Sequence, residues 1–329
     1  MKKFIALAVV FIMILTFAGC SNGNDGGTDN LGGQNNSNSV ADTGSSNGGS
    51  SGSEISGNSS SEAATSSNKG NSTTQSTSGT SSTNKIDEDK ARTLVEGKGE
   101  AWTLANTYKK LTQDKELTIA YFGGSVTWGT GSTTGNSWRE ITTKWFKKTY
   151  PGATINEVNA AIGGTGSLYG FQRLKKDVLK KEPDLVFIEF AMNDVYENIT
   201  QTKAAANIDA IIRKINAYNP EIDIVLVFIT SEGNMGKDYL VKQGHRHVAE
   251  YYGVPYIDVG NAIAAEISKT GKPWNYYFGD VVHPNDKGYK VYADEVEKNL
   301  INWLNEAKAK TPKQHVINKT PAVTYPYDI

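Results

Sequence analysis

From about residue 117 to residue 308, short apolar runs alternate with amphipathic stretches. Two of the runs, residues 185–188 and 224–229, are apolar without interruption. Uninterrupted runs of this length are typical of parallel strands that other elements cover on both faces. We predict five strands from these runs, at residues 117–122, 154–159, 184–190, 223–229 and 255–259.

The stretches between and after the strands have the spacing of apolar residues that amphipathic helices require. Pro151, Pro183 and Pro220 mark boundaries between elements, because proline interrupts helices. We predict helices at residues 137–149, 167–181, 203–217, 238–251, 261–270 and 285–308. Regular alternation of strand and helix predicts an α/β fold, a doubly wound α/β/α sandwich of three layers.

Composition divides the chain before these elements begin. Residues 21–84 consist almost entirely of Gly, Ser, Asn and Thr, so they have hardly any apolar surface to bury. We therefore expect a disordered linker there. Residues 85–329 have the length of one domain and contain no internal repeat.

The first twenty residues have the features of an export signal. Lys2 and Lys3 precede an apolar stretch at residues 4–18, which is short for a membrane span. The stretch ends in Phe17-Ala18-Gly19-Cys20, which is similar to a bacterial lipobox. We expect residues 1–20 to be a lipoprotein signal peptide, with a lipid on Cys20 holding the domain at the outer face of the cell membrane. A transmembrane anchor and a simply secreted protein are the alternatives.

Charge and cysteine content narrow the choice of partners. The chain has 34 Lys and Arg residues against 35 Asp and Glu residues, and no basic segment suited to nucleic acid. Cys20 is the only cysteine, so no disulfide can form within the chain and packing must hold the domain together. No metal-binding motif is present, so we expect neither a metal nor another cofactor. The sequence does not indicate an oligomeric state.

Polar or flexible residues follow three of the predicted strands where each strand ends. Ser125, Gly164 and Asn193 follow the first, second and third strands. Because ligands of doubly wound sheets bind at the carboxyl ends of the strands, we expect these residues to lie close together. Asp280 and His283 lie in the loop before the last helix, which can return to the same edge.

These residues include the groups that acyl transfer requires. Ser125 is the candidate nucleophile, His283 the base, and Asp280 the carboxylate that orients the imidazole. Backbone N–H groups of Ser125 and Gly164, with the side-chain amide of Asn193, are candidate donors to an oxyanion. Each segment also has a purely structural interpretation as a turn or helix cap. Their common location at one edge favours the catalytic interpretation.

The four segments, in this order, resemble the blocks of the SGNH (GDSL-type) hydrolase family. Ser125, Gly164 and Asn193 match the residues of blocks I to III, and Asp280-Val281-Val282-His283 matches the Asp-x-x-His pattern of the last block. The resemblance extends from about residue 117 to residue 304. It implies a flavodoxin-like order of five parallel strands and a serine hydrolase that acts on carboxylic esters through an acyl-enzyme.

Two residues depart from the family's pattern. Gly124 stands where block I usually has Asp, and Ala191 stands where block III usually has Gly. Neither departure removes a reacting group, but both change residues in the loops that carry the site. An inactive relative that only binds glycan therefore stays among the alternatives.

Other polar residues receive structural interpretations. His245 and His247 lie two positions apart on one predicted helix and point to different faces, which favours packing or solvent exposure over metal binding. Asp194 is assigned to support of a loop or cap. His315 lies in the C-terminal segment without a carboxylate constellation beside it. The role of residues 311–329 is open.

Aromatic residues flank the candidate site and suggest a substrate. Trp128, Trp274 and Tyr276 are candidates for substrate binding, because exposed aromatic rings near a catalytic loop stack on sugars; core packing is the alternative. Together with the predicted export signal, these aromatic residues favour a cell-surface esterase that removes O-acetyl groups from carbohydrate. Acyl transfer to a polysaccharide and a solute-binding lipoprotein are the remaining alternatives.

Overall fold

The computed structural model describes residues 92–324. The predicted signal peptide with Cys20, the predicted linker at residues 21–84 and the two ends of the predicted domain lie outside the described residues. Within residues 92–324, no helix combines the length and the apolar character that a bilayer crossing requires.

A parallel sheet of five strands forms the centre of the described domain. Its order is β2-β1-β3-β4-β5, and every pair of neighbouring strands is parallel. The strands are β1 (Glu116–Gly123), β2 (Thr154–Asn159), β3 (Leu185–Glu189), β4 (Asp223–Phe228) and β5 (Tyr256–Asp258). This order is the flavodoxin-like one. The predicted fold is therefore confirmed, with each strand boundary within one residue of its predicted place.

Helices lie between and after the strands. They are α1 (Ala105–Lys109), α2 (Ser125–Trp128), α3 (Trp138–Thr149), α4 (Ser167–Asp177), α5 (Ala191–Tyr196), α6 (Gln201–Tyr218), α7 (Leu240–Tyr252), α8 (Val259–Thr270), α9 (Trp274–Tyr277) and α10 (Asp286–Ala307). The six long helices were predicted, with boundaries shifted by a few residues. The four short helices α1, α2, α5 and α9 were not, because fewer than two turns carry too little periodicity to detect.

Alternate residues of each strand enter two separate cores. Phe122, Ile188 and Leu226 point to one face of the sheet, where they pack with α4, α6 and α7. Tyr121, Phe187 and their neighbours point to the other face and pack with α3, α8 and α10. Because side chains alternate along a strand, both faces of the sheet are buried and a sandwich of three layers results.

Residues 311–324 pack against the domain as a strap. The N–H of His315 donates to Pro220 O at 2.7 Å, and an antiparallel bridge joins Leu94 to Val323. His315 Nε2 lies 2.7 Å from Asp223 Oδ1, so the prediction that His315 has no carboxylate beside it is wrong. Its partner lies 92 residues away in the sequence, where only the fold can bring it near.

Candidate active site

Ser125 lies in a tight turn between the first strand and a short helix. Strand β1 ends at Gly123, and α2 begins at Ser125 itself. The N–H of a residue at this position has no acceptor within the helix, so the backbone N–H of Ser125 is available to a ligand. Val126 and Thr127 are buried beneath the turn, whereas Ser125 is only half-buried.

The structure brings Ser125, His283 and Asp280 together. His283 Nε2 lies 2.8 Å from Ser125 Oγ, although the two residues are 158 positions apart. His283 Nδ1 lies 2.7 Å from Asp280 Oδ2. The imidazole therefore joins the hydroxyl to the carboxylate, which is the relation that a nucleophile, its base and the orienting group require.

Asp280 is held as a carboxylate. Burial works to raise the pKa of its carboxyl group, but hydrogen bonds from the backbone N–H and ring of His283, and from the N–H of Val282, outweigh burial and lower that pKa. The two backbone N–H groups donate to Asp280 Oδ1 at 2.7 and 2.8 Å. A carboxylate on Nδ1 favours the tautomer that carries its proton there, which leaves Nε2 free to accept the proton of Ser125.

The loop that carries His283 is fastened to the loop after Ser125. The Tyr289 hydroxyl donates to Val126 O and Thr130 O at 3.1 and 2.7 Å. Asp286 accepts hydrogen bonds from the N–H and hydroxyl of Thr133 at 2.7 and 2.6 Å. These contacts join α10 to α2 and to the segment after it, so His283 and Ser125 keep their separation.

The other two predicted residues lie next to the same turn. Asn193 in α5 contacts Gly124, because a Cβ placed on Gly124 would collide with Asn193 Oδ1. Gly163 lies beside Ser125, since its Cβ would stand 3.6 Å from Ser125 Cβ. Gly164 has φ +70° and faces open space, with no atom within 4 Å of a Cβ position. The segments that follow β1, β2 and β3 thus converge as predicted.

Gly124, one departure from the family's pattern, lies against Asn193. With the amide of Asn193 in this position, the structure leaves no room for a side chain at residue 124. Ala191, the other departure, is buried at the first position of α5 and packs in the core. Both loops keep Ser125 and Asn193 together despite these changes.

Asp194 supports a loop, as predicted, but its partners in other elements could not be predicted from the sequence. Asp194 accepts hydrogen bonds from the N–H and hydroxyl of Ser167, each at 2.7 Å, and lies 2.9 Å from His245 Nε2. Glu197 accepts from the N–H of Gly166 at 2.6 Å. Two carboxylates of one segment thus hold the loop that carries Gly164. His245 is buried by this contact and does not point to solvent.

Two buried ionisable residues beneath the edge were missed. Arg173 of α4 donates to Gly123 O at 3.2 Å and to Ala160 O, which ties the ends of β1 and β2 together. Glu189 ends β3 and accepts a hydrogen bond from the Thr127 hydroxyl at 2.9 Å. A signal for Glu189 was present in the sequence, because it is a charged residue within an otherwise apolar run.

The three aromatic candidates differ in their surroundings. Trp128 is 56% exposed on α2, three residues after Ser125. Trp274 stacks on Phe278 at 3.5 Å, and its indole N–H donates to Asp280 O at 2.7 Å, so it supports the carboxylate loop. Tyr276 is exposed, with Lys287 Nζ 4.0 Å from the centre of its ring.

A groove of about 410 Å³ runs beside Asp280. Its walls include Glu232, Trp274, Asn275 and Val281. The groove offers an aromatic edge, an amide and a carboxylate beside the loop that carries Asp280 and His283, a mixture that suits a polar ligand with apolar faces. Among residues 92–324, no three His, Cys, Asp or Glu side chains are grouped so that they could hold a metal ion.

Comparison with known proteins identifies relatives of this arrangement. Residues 121–291, more than half of the chain, match the model of the GDSL-like Lipase/Acylhydrolase family. No curated protein matches the chain.

Solved structures similar to this chain include several esterases. A two-domain esterase (CEX) active on acetylated mannans is 27% identical, with a TM-score of 0.57; the match covers 68% of this chain and 59% of that protein. A variant of Axe2, an acetyl xylan esterase from Geobacillus stearothermophilus, is 20% identical, with a TM-score of 0.48 and coverage of 56% and 94%. The esterase EstA from Pseudoalteromonas sp. is 22% identical, with a TM-score of 0.47 and coverage of 57% and 98%.

Proposed function

Because this chain belongs to the GDSL-like Lipase/Acylhydrolase family, we propose that it hydrolyses carboxylic esters with Ser125 as its nucleophile. The observation that carries the proposal is the continuous contact from Ser125 Oγ to His283 Nε2, at 2.8 Å, and from His283 Nδ1 to Asp280 Oδ2, at 2.7 Å. A hydroxyl in this setting can lose its proton to the imidazole as it attacks a carbonyl carbon.

Acylation is the first half of the reaction. Ser125 Oγ forms a bond to the ester carbonyl carbon while His283 Nε2 takes the hydroxyl proton, and a tetrahedral oxyanion results. When the oxyanion collapses, the bond to the leaving alkoxy oxygen breaks and His283 gives that oxygen its proton. An alcohol departs, and the acyl group remains as an ester of Ser125.

Deacylation repeats the same steps with water. His283 takes a proton from a water molecule, the water oxygen attacks the acyl carbon, and a second oxyanion forms. Its collapse breaks the bond to Ser125 Oγ, which recovers its proton from His283. A carboxylic acid is released. Asp280 keeps its negative charge throughout and stabilises the positive charge on the imidazole.

Both oxyanions require hydrogen-bond donors fixed in advance. The proposed donors are the backbone N–H groups of Ser125 and Gly164 and the side-chain amide of Asn193. Gly164 faces open space and directly follows Gly163, which lies beside Ser125, and Asn193 contacts the residue before Ser125; these positions support the assignment. Such donors act without reorganisation because the folded chain already holds them in position.

Acetyl groups on carbohydrate are the proposed substrate. The 27% identical esterase that acts on acetylated mannans supports this choice, as do the exposed ring of Trp128 and the groove beside Asp280. Trp128 and Tyr276 would contact sugar rings, and Trp274 would line the groove while it supports Asp280. We further propose that a lipid on Cys20 holds the enzyme at the outer face of the bacterial membrane, where such polymers are accessible.

Release of p-nitrophenol from p-nitrophenyl acetate tests the esterase assignment. We expect turnover by the full chain, and loss of turnover in Ser125→Ala with an unchanged circular dichroism spectrum. Ser132→Ala, in the loop after α2, is a matched control that removes a serine outside the proposed reaction. Turnover by Ser125→Ala at the wild-type rate would contradict the assignment.

A second assay tests which ester is the substrate and whether the acetyl group passes to water or to a sugar. We expect acetate release from acetylated mannan or xylan, measured by enzyme-linked detection of acetate. Addition of an unacetylated oligosaccharide distinguishes hydrolysis from acyl transfer, because a transferase would acetylate the acceptor at the expense of free acetate.

A further inference from the structure

Glu189 is an acid enclosed directly beneath the turn that carries Ser125. It is the last residue of β3 and only 1% exposed. Its Oε2 accepts hydrogen bonds from the Thr127 hydroxyl at 2.9 Å and from the N–H of Gly124 at 3.4 Å. Its Oε1 has no hydrogen-bond partner in the part of the chain that the structure describes. One carboxyl oxygen therefore holds the turn, and the other is left over.

The surroundings of Glu189 do not pair it with a cation. The titratable groups around it come from several elements: Asp194 in α5, Tyr239 before α7, Tyr289 and Tyr292 in α10, and Arg139 in α3. Burial raises the pKa of each of these three tyrosines, so they stay uncharged. Asp194 repels a second negative charge.

The two nearby arginines are occupied elsewhere. Arg139 donates to Thr127 O and forms an ion pair with Glu157. Arg173 donates to Gly123 O, and it belongs to α4, which packs on the face of the sheet opposite to α10. Glu189 therefore faces phenols, an acid and peptide groups rather than a positive charge.

Under these conditions the uncharged acid is the favoured form. Burial, with a smaller contribution from the charge of Asp194, raises the pKa of Glu189 to about 8, although the hydrogen bonds from Thr127 and Gly124 work to lower it. The geometry agrees with this direction, because Oε2 can accept both bonds as the carbonyl oxygen while Oε1 carries the proton. At neutral pH most molecules hold Glu189 in this uncharged form.

We propose that Glu189 is a positioning residue that holds the Gly124–Ser125 turn as an uncharged acid, and that its ionisation lowers the esterase rate at alkaline pH. The proposal rests on the proposed function. Glu189 touches neither substrate nor the reacting atoms; it acts through the N–H of Gly124 and the hydroxyl of Thr127. An ionised Glu189 would place a negative charge one residue from the Ser125 N–H, where the oxyanion develops its own, and the two charges repel.

The dependence of kcat on pH between 6 and 10 tests the proposal. We expect the wild-type kcat for p-nitrophenyl acetate to fall above about pH 8, with the slope of a single ionisation. In Glu189→Gln the amide keeps an uncharged acceptor for the same two donors, so the alkaline fall should disappear. Glu295→Gln, on the outer surface of α10, is the matched control and should keep the wild-type profile.

A second variant leaves the acid in place and moves its ionisation. Thr127→Val removes the hydroxyl that stabilises the carboxylate and keeps the volume of the side chain. We expect the alkaline fall of kcat to shift to higher pH, in the direction opposite to any general weakening of the fold. Circular dichroism of each variant from pH 6 to pH 10 reports whether the chain stays folded over this range.

The outcomes separate this proposal from the proposed function. An alkaline fall of the same size and midpoint in wild type and Glu189→Gln, with Ser125→Ala inactive, would overturn the role of Glu189 alone. An alkaline fall that coincides with unfolding of the wild type would also overturn it. Full turnover by Ser125→Ala would instead overturn the esterase assignment.

Discussion

Two histidine–aspartate pairs lie at opposite edges of one sheet, with the same distance between the ring nitrogen and the carboxylate oxygen. His283 Nδ1 lies 2.7 Å from Asp280 at the carboxyl edge, and His315 Nε2 lies 2.7 Å from Asp223 at the amino edge. Asp280 is 53% exposed, whereas Asp223 is fully buried. The spacing of a pair therefore does not indicate its role.

The two pairs differ in what surrounds each imidazole ring and in whether a ligand can reach it. His283 presents Nε2 to the Ser125 hydroxyl in a part of the surface that a ligand can reach. His315 belongs to the C-terminal strap, and its ring stacks on Trp102 with 3.8 Å between ring centres. Asp223 also accepts both donors of Thr107, at 2.8 and 2.7 Å. These surroundings support the proposed catalytic role of the first pair, and they show that the second pair holds the strap.

Removal of the imidazole at the carboxyl edge should have the largest effect. We expect His283→Ala to lower kcat/KM for p-nitrophenyl acetate by ~10⁴-fold or more, because the serine then lacks its base. The midpoint of thermal unfolding should stay close to that of the wild type. A variant that keeps its rate and loses its stability would reverse the roles of the two pairs.

Removal of the side-chain amide of Asn193 should have the second-largest effect on the rate. We expect Asn193→Ala to lower kcat by ~10²- to 10³-fold with little change in KM, because an oxyanion donor acts in the transition state and not in the bound ester. Asn299→Ala, on α10 and remote from the edge, is the matched control. An increase in KM with unchanged kcat would show instead that Asn193 binds the ground state.

Substitution of Glu189 at the carboxyl edge should improve the free energy of unfolding as the pH rises. Its folded pKa, about 8, lies above the usual value of 4.5. The unfolded chain therefore releases this proton at lower pH than the folded chain, and stability falls as pH rises from about 4.5 to about 8.

Glu189→Gln should abolish this loss. We expect its advantage in free energy of unfolding over wild type to grow by about 1.4 kcal/mol per pH unit within that window, and to stay constant above it. Urea unfolding at pH 5, 6, 7 and 8 measures the difference. A difference that does not change with pH would mean that Glu189 is already ionised in the folded protein.

The buried pair should show the opposite behaviour to His283. We expect His315→Ala to lower the free energy of unfolding by about 2 kcal/mol, because Asp223 loses a partner and Trp102 its stacked ring. Turnover of p-nitrophenyl acetate should not change. Urea unfolding and the ester assay, run on the same preparation, provide both measurements. A loss of rate without a loss of stability would place His315 in the chemistry.

Trp128 should produce the smallest effect. If its exposed ring contacts sugar, Trp128→Ala should lower kcat/KM for an acetylated polysaccharide by about fivefold, as the loss of about 1 kcal/mol of stacking predicts. Turnover of the small ester should stay the same. Equal losses for both substrates would indicate that Trp128 supports the turn of Ser125 rather than the carbohydrate.

The strands and the candidate site at the carboxyl edge of the sheet could be predicted because their signals are local. An apolar run marks each strand, and the segment that follows the run lies at the edge where ligands bind. Ser125, Gly164 and Asn193 each lie in such a segment. The order of the strands came from the resemblance, since periodicity alone does not decide which strands are neighbours.

The supporting contacts could not be predicted, because their partners are remote in the sequence. His245 meets Asp194 across 51 positions, and Thr127 meets Glu189 across 62. Nothing next to these residues in the chain indicates the partner. Steric restrictions could not be predicted either, since only the folded chain shows that Asn193 occupies the place of a side chain at Gly124.

The two ends of the described chain lie side by side. The N–H of Thr93 donates to the Thr324 hydroxyl at 2.9 Å, and the N–H of Thr324 donates to Thr93 O at 2.9 Å. A few added residues would link these ends covalently, and new termini could then be opened in an exposed loop far from Ser125. A circularly permuted enzyme made in this way would keep the same fold, and its new ends could be fused to a chosen carrier.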